Sequence, residues 1–497
     1  MNEKVLLLLL GCVTGLVTSL PLSEPLQNLI PGMNEYATMS EGSEVPQVIF
    51  TKIIQANKDI DTPMHGGDIR IRTGRSATNC TSCLWPKFED GTVPVPYSIN
   101  VDFSPSELKT IMNAMDEFET LTCVRFVPHT TEEDYLNITA TDGCSSFIGK
   151  QGKSQAVSLA DGCIYKGVVQ HELDHALGFY HEHTRSDRDK YVDIKFQYIS
   201  KEHWSNFIKQ DTKNLGLEYD YESVMHYDRY DFTNTPNHAT IVPKPDPNVS
   251  IGQRVGLSIL DVAKINKLYE CSVCATLLSK QTGILTSENY PSDYADNVDC
   301  VWLIRTPNGQ ASLTFRDFNV QSTLDCTSDY MRIYDGNSKN SPVLLDKMCG
   351  SKTIPPLIAS TNEMLVEFVS DGAVAGRGFN ATYSAVQCGG TFFNSQGRFT
   401  SPGYPGNYSP NMNCNYTITA PVGYKIALTI SNFQVEYSRF CTSDYLKLFI
   451  DGKQKGPFCG YTSIPVLYST SNSMILSFHS DWANQAKGFQ VSYTFRE

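Results

Sequence analysis

His171-Glu-Leu-Asp-His175-Ala-Leu-Gly178-Phe-Tyr-His181-Glu182 is the stretch on which this chain turns. Histidines at i and i+4 share one face of a helix, a turn apart, where both imidazoles reach a single ion. Glu172 lies beside them, placed to act on a water rather than to ligate. A helix cannot present a third ligand at His181 without ending, and Gly178 supplies the permissive backbone at which the chain leaves it. Three imidazoles on zinc leave a fourth position open for water and lower that water's pKa to about 7. A buried helix that merely contains histidines needs neither Glu172 nor Gly178 in register.

The longer run from His171 to Asp189, HELDHALGFYHEHTRSDRD, resembles the astacin metalloendopeptidases, whose signature is HExxHxxGxxHExxRxDRD. Every fixed position is filled. Downstream, Ser223-Val-Met225-His-Tyr227 is similar to the family's Met-turn. The resemblance implies Met225 as an apolar floor under the zinc. It implies Tyr227 as a further, displaceable ligand that swings away to stabilise an oxyanion. Asp228 stands where the family usually has glycine.

Outward from this core, 497 residues predict about three domains, and 41% hydrophobic with 19% charged residues is ordinary for globular protein. A net charge of −13 argues against nucleic acid and anionic membrane surfaces as partners. Residues 1–19 read as a signal peptide: Lys4, then an apolar run too short to span a bilayer, then small residues for cleavage. No later stretch predicts a membrane span and no apolar tail predicts a lipid anchor, so a secreted, extracellular protein is expected. Of 15 cysteines, Cys12 falls in the leader and 14 remain, an even set suited to an oxidising compartment. Asn79, Asn137, Asn248, Asn380, Asn407 and Asn415 open glycosylation sequons.

Residues 20–75 read as a pro-segment. Val48, Ile49, Ile53 and Ile54 have helical spacing. His65-Gly-Gly-Asp68 resembles the astacin pro-segment motif FxGD, with histidine in place of phenylalanine. The resemblance implies that Asp68 ligates zinc in the zymogen; a tight turn is the plainer reading of Gly66-Gly67-Asp68. Arg70, Arg72 and Arg75 offer cuts to a trypsin-like activating protease, with the bond after Arg75 expected. In the family the new terminus is buried and meets the glutamate after the third histidine, here Glu182.

Residues 76–272 form the expected protease domain. Ser104-Pro-Ser-Glu107 is a capping box with proline at the first helical position. The helix it opens should bury Leu108, Ile111, Met112, Met115 and Phe118 and end near Cys123. Ala156-Val-Ser-Leu159 reads as a strand, and the family pairs an edge strand of this kind with extended substrate. The resemblance implies disulfides Cys123–Cys271 and Cys144–Cys163. Cys80-x-x-Cys83 could be a redox or metal half-site, but no second pair completes a zinc site, so a local disulfide is expected. An extra pair here, ahead of Leu84-Trp85-Pro86, is similar to the hatching-enzyme branch of the family.

Past Cys271 a repeat begins. Cys274 to Cys300 and Cys388 to Cys414 share one spacing, and Cys-Thr-Ser-Asp-Tyr recurs from Cys326 and Cys441. Met364 to Val369 and Met474 to His479 alternate as strands do. The copies, residues 274–386 and 388–497, resemble CUB domains, all-β sandwiches. The resemblance implies pairs Cys274–Cys300, Cys326–Cys349, Cys388–Cys414 and Cys441–Cys459. Some CUB domains hold calcium with one glutamate and two aspartates; the second copy matches with Glu436, Asp444 and Asp481. The first has Gln321, Asp329 and Asp371, one formal charge fewer.

These readings combine into a multidomain protein, an α+β zincin-like (metzincin) catalytic domain followed by two CUB sandwiches. The expected activity is zinc-dependent cleavage of protein substrates by a secreted zymogen-derived endopeptidase. Protease plus two CUB copies, with no growth-factor-like module between, is similar to vertebrate hatching enzymes acting on egg-envelope glycoproteins. The alternatives are an extracellular-matrix or growth-factor-processing astacin, and a CUB-based binding protein with the protease domain as scaffold.

Overall fold

The computed structural model describes residues 49–60, 64–71, 83–100, 102–253 and 255–497. The expected leader, most of the expected pro-segment, the cut expected after Arg75, Asn79 and Cys80 lie outside the described residues.

Helix α1, Ile49–Asn57, buries Phe50 and Ile53 against the rest of the fold. Helix α2, Pro105–Leu121, starts at the capping box: the Ser104 hydroxyl accepts from Glu107 N while Glu107 Oε2 accepts from Ser104 N. Its buried face is Ile111, Ala114, Met115, Glu117, Phe118 and Leu121. Leu108 is only half-buried and Met112 is 38% exposed, so the apolar stripe expected from sequence is rotated toward Ala114 and Leu121. The helix stops at Thr122, whose extended backbone leads into the next strand.

Strands β1 (Val93–Ile99), β2 (Val124–Pro128), β3 (Tyr135–Thr139), β4 (Cys144–Ser145) and β5 (Ser154–Leu159) make one sheet in the order β2-β1-β3-β5-β4. All pairings are parallel except β5 with β4. From sequence, Ala156-Val-Ser-Leu159 is expected at the substrate-facing edge. The short β4 instead pairs with Ser158 and Leu159 and takes the edge there. Two things hold it: the Cys144–Cys163 disulfide, and Asn57 at the end of α1, whose amide accepts from Cys144 N and donates to Cys144 O, each at 2.7 Å.

Helix α3 (Lys166–Leu177), buried along its length from Gly167 onward, packs between this sheet and α2. Helix α4 (Ile259–Leu268) opens on a second capping box, Ser258 with Asp261. A disulfide joins Cys123 at the end of α2 to Cys271 just beyond α4.

Each repeat is a sandwich of two five-stranded sheets. Cys274–Leu278 lies parallel to β6, Asp299–Arg305, with Cys274 opposite Cys300, and their side chains are disulfide-bonded. β6 pairs antiparallel with β7, Glu363–Val369. The second repeat has the same order, Gly389–Phe392 beside Asn413–Thr419 beside Ser473–His479. Further disulfides join Cys326 to Cys349, Cys388 to Cys414 and Cys441 to Cys459. Cys83 is also disulfide-bonded. The first repeat does not stand apart: Leu277, Val301, Leu303, Tyr334 and Leu365 share one apolar cluster with the α2 and α3 core.

Candidate active site

His171, Glu172 and His175 sit in the middle of α3, none with exposed surface. Gly178 ends the helix in the left-handed region at φ +111°, where an L side chain is strained. The turn that follows sends the Phe179 carbonyl back to accept from His175 Nδ1 at 2.7 Å. His171 Nδ1 donates to Val224 O at 2.9 Å, in the Met-turn segment. A carbonyl can only accept, so both rings carry their proton on Nδ1 and turn a bare Nε2 lone pair inward.

What those lone pairs face is Asp68. Its carboxylate is 2.9 Å from His171 Nε2, 3.5 Å from His175 Nε2 and 3.2 Å from His181 Nε2, all fully buried or nearly so. Acceptors facing acceptors repel unless a cation lies among them. Asp68 Oδ1 and His175 Nε2 are buried with no hydrogen-bond partner, as atoms that share an ion would be. One ligand atom from each of the four residues falls within 4.8 Å of the others. Three imidazoles and a carboxylate are a zinc donor set, and the residues fit that ion.

Glu172 is placed beside this cluster with both carboxylate oxygens buried and unpartnered. Burial first, then the Asp68 charge, push its pKa well above the ordinary carboxylate range, against a smaller pull from Arg70.

The backbone around Asp68 is shaped for close approach. A Cβ on Gly66, at φ +64°, would lie 2.9 Å from the His181 ring. The Gly66 carbonyl accepts from the Tyr227 hydroxyl at 2.5 Å, and the Phe50 ring stacks on Tyr227 with centroids 3.8 Å apart. Arg70 N donates to Ser146 O and Ser146 N to Asp68 O, so residues 68–70 lie along the β4 edge. His65 reaches Gln210, 3.0 Å between nitrogens, and burial lowers its pKa.

Met225 is 3% exposed, and its carbonyl accepts from Glu182 N at 3.0 Å. Asp228 N donates to Asp231 Oδ2 and Asp228 Oδ1 accepts from Tyr230 N. Its backbone is not in the left-handed region, so this position makes no demand for glycine. Glu182 accepts from Asp220 N at 2.8 Å, from Arg185 at 3.1 Å and from Lys264 at 2.7 Å. A cavity of about 190 Å³ opens beside it, lined in part by Leu84, Phe179 and Leu215.

Three contributors escaped sequence reading. Phe50 and Lys264 carry no local signal. Asp261 was discoverable, since Ser258-x-x-Asp261 is a capping pattern. Beyond capping, its carboxylate accepts from Ser223 Oγ at 2.6 Å and from Val224 N at 2.8 Å, pinning the residue whose carbonyl orients His171. In the second repeat Glu436, Asp444 and Asp481 also converge within 4.8 Å. Asp444 is fully buried, accepting from Tyr408 and from Asp481 N, and Glu436 Oε2 is buried without a partner. In the first repeat Asp329 makes the matching bonds to Tyr294 and Asp371 N, and Gln321 Oε1 is unpartnered.

Comparison with known proteins fits this geometry. The profile of the astacin peptidase family matches residues 81–270, and that of the CUB domain matches 274–383 and 388–493. The chain is 53% identical over 451 residues to embryonic protein UVS.2 of Xenopus laevis, spanning 90% of this chain and 88% of that one. The chain belongs to the astacin family. It is 51% identical over 350 residues to the astacin-like metalloendopeptidase of Gallus gallus, covering 70% of this chain and 86% of the relative. With human Tolloid-like protein 1 it shares 36% identity over 445 residues, 87% of this chain but only 43% of the other. This astacin is therefore a metalloendopeptidase, a metzincin catalytic domain followed by two CUB sandwiches, acting on protein substrates. No helix among the described residues is long and apolar enough to cross a membrane.

Proposed function

We propose that this astacin is a secreted zinc protease made as a zymogen and released to act as a hatching enzyme on egg-envelope glycoproteins. The observation that carries the chemistry is the convergence of three imidazole Nε2 atoms on Asp68, with Glu172 alongside and unpartnered. His171, His175 and His181 would hold zinc, which supplies Lewis acidity toward a water and a peptide carbonyl. Glu172 takes the proton of the attacking water as general base and passes it to the leaving amine. Its raised pKa belongs to the closed zymogen, where the Asp68 charge faces it. Tyr227, freed from the Gly66 carbonyl, donates its hydroxyl to the developing oxyanion. Met225 floors the site.

In the zymogen Asp68 occupies the position the water needs, and the pro-segment covers the β4 edge along which substrate would extend. Cleavage after Arg75 by a trypsin-like protease removes both. The cavity beside Glu182 is then available to the new amino terminus. Calcium is proposed at Glu436, Asp444 and Asp481 and, with one charge fewer, more weakly at Gln321, Asp329 and Asp371.

The hatching role is supported by layout. The match to an embryonic protein runs through both CUB domains and most of that chain, whereas more than half of the tolloid relative lies outside its match. The reading is tested with isolated egg envelopes, trypsin-activated protein, a Glu172→Gln twin and a casein control. Envelope loss with wild type alone supports it. Casein cleavage beside intact envelopes keeps the protease, removes the hatching role and favours a matrix or growth-factor substrate. Casein cleavage by the Glu172→Gln protein overturns the mechanism.

A further inference from the structure

Glu117 is a carboxylate with no exposed surface, on the face of α2 turned toward the first CUB domain. Its partners come from both sides of that boundary. Arg305 at the end of β6 reaches Glu117 Oε1 at 2.8 Å, and Lys166 at the start of α3 reaches Oε2 at 2.5 Å. Lys166 also pairs with Glu363 at 2.5 Å, and Glu363 stands opposite Arg305 in the β6–β7 register. The result is an alternating row, Glu363–Lys166–Glu117–Arg305, two charges from each domain and none more than 16% exposed.

The row touches the active site by two routes. Arg305 also donates to the Leu257 carbonyl. Leu257 N in turn donates to Gln170 Oε1 at 3.1 Å, and Gln170 immediately precedes His171. Leu257 also precedes Ser258, the cap of α4, whose Asp261 fixes the Val224 peptide and through it His171 Nδ1. A Cβ on Gly256 would meet Gln170 Oε1 at 2.3 Å and Arg305 Nη1 at 3.5 Å, so this seam is closed to anything larger than glycine. Around it, Asn337 donates to Asn113 O at 3.0 Å, and Ser338 and Asn340 donate to the Asp116 carboxylate at 3.2 and 3.1 Å.

We infer that the first CUB domain is a built-in part of the catalytic unit, and that Arg305 is a positioning residue for the histidine helix through Glu117, Gln170 and Leu257. A domain that served only as an appended binding module would not place an arginine on the carbonyl of Leu257, whose N–H holds the residue before a metal ligand. Removing Arg305 leaves Glu117 buried with a lysine it must share, and an orphaned buried charge is strongly destabilising. The strain falls on the helix pair that carries the site. The inference rests on reading His171 as a zinc ligand.

The test uses the full-length activated protein and compares wild type with Arg305→Met, Arg305→Lys and the double variant Arg305→Met/Glu117→Gln. Zinc content, rate of zinc loss to a chromophoric chelator, and the visible spectrum of the cobalt-substituted protein are read for each. Arg305→Met is expected to lose zinc about tenfold faster or more, the range seen when supports of metal ligands are removed. Its cobalt bands should shift and kcat should fall more than KM changes. Arg305→Lys, which keeps the charge but not the fork to Leu257, should lie between. The double variant should recover toward wild type because no orphan charge remains. Wild-type zinc release and cobalt bands in both Arg305 variants would overturn the inference. If Arg305→Met does not fold, the lysine variant and the double variant still decide. Wild-type protein that retains no zinc would instead sink the metal reading itself.

Discussion

The ring of Phe50, in helix α1, lies stacked on the ring of Tyr227 at 3.8 Å and 19°, and both are buried. The Tyr227 hydroxyl is held at the same time by Gly66 O. One residue of the proposed pro-segment thus covers the face of the phenol and another ties its tip, so the group proposed to meet the oxyanion is doubly restrained. Replacing Phe50 with alanine removes the stack and the buried ring, a change that costs about 3–5 kcal/mol in protein cores. Only part of that falls on docking of the pro-segment. Uncut Phe50→Ala zymogen should therefore cleave a fluorogenic peptide at roughly ten to a hundred times the wild-type background. Trypsin should also remove its pro-segment faster. Mature enzyme from the two forms should be indistinguishable, and a wild-type background in the uncut variant would show that the stack restrains nothing.

Asp68 makes a different contribution, through charge. An asparagine there keeps the shape and one oxygen but loses the anion that faces three imidazoles. Charge-assisted contacts are roughly twice as strong as neutral ones. Uncut Asp68→Asn protein should show the larger leak of the two, on the order of a hundredfold over wild type, with zinc content unchanged. Loss of zinc from that variant after brief dialysis would mean that Asp68 holds the ion rather than blocks it.

The histidine cluster was readable because its geometry is local: His171, Glu172, His175, Gly178 and His181 need only one helix and one turn. Asp261 was half readable. Its capping role follows from Ser258 three residues earlier, but its hold on Val224 joins segments 37 residues apart. Phe50 on Tyr227 and Arg305 on Glu117 were not readable. A phenylalanine in an amphipathic helix and an arginine at a strand end have many ordinary uses, and only the folded chain brings these partners together. The same limit explains the rotated stripe of α2. Periodicity marks an apolar face, but the packing of the first CUB domain along α2 decides which side is covered.

Acid stability should report on Glu117. Burial alone would raise its pKa, yet Arg305 and Lys166 outweigh that and hold it at about 2, below the ordinary value of 4.5. A depressed folded-state pKa means that the contribution is complete above about 4.5 and is lost as pH falls toward 2. Melting temperatures measured from neutral pH down through this window should fall for wild type and fall less steeply for Glu117→Gln. The variant should already be less stable at neutral pH, and the two curves should converge as acid protonates Glu117. Parallel curves would mean that the carboxylate is not ionised in the folded protein.

Calcium should distinguish the two CUB domains. In the second, Glu436 Oε2 is buried with no partner while Asp444 and Asp481 are already held in place by Tyr408 OH and backbone N–H groups. A hard cation would satisfy the orphaned oxygen and neutralise three carboxylates gathered within 4.8 Å. In the first, the equivalent Gln321 Oε1 is as poorly satisfied but brings no charge. Calorimetry of the full chain should show stabilisation on adding calcium, about 2.7 kcal/mol when the free ion is a hundredfold above Kd. Glu436→Gln converts the second site to the composition of the first and should lower its affinity to the level that site shows. Gln321→Glu should do the reverse. If neither substitution alters the calcium response, the acids are there to cap turns and the ion binds elsewhere.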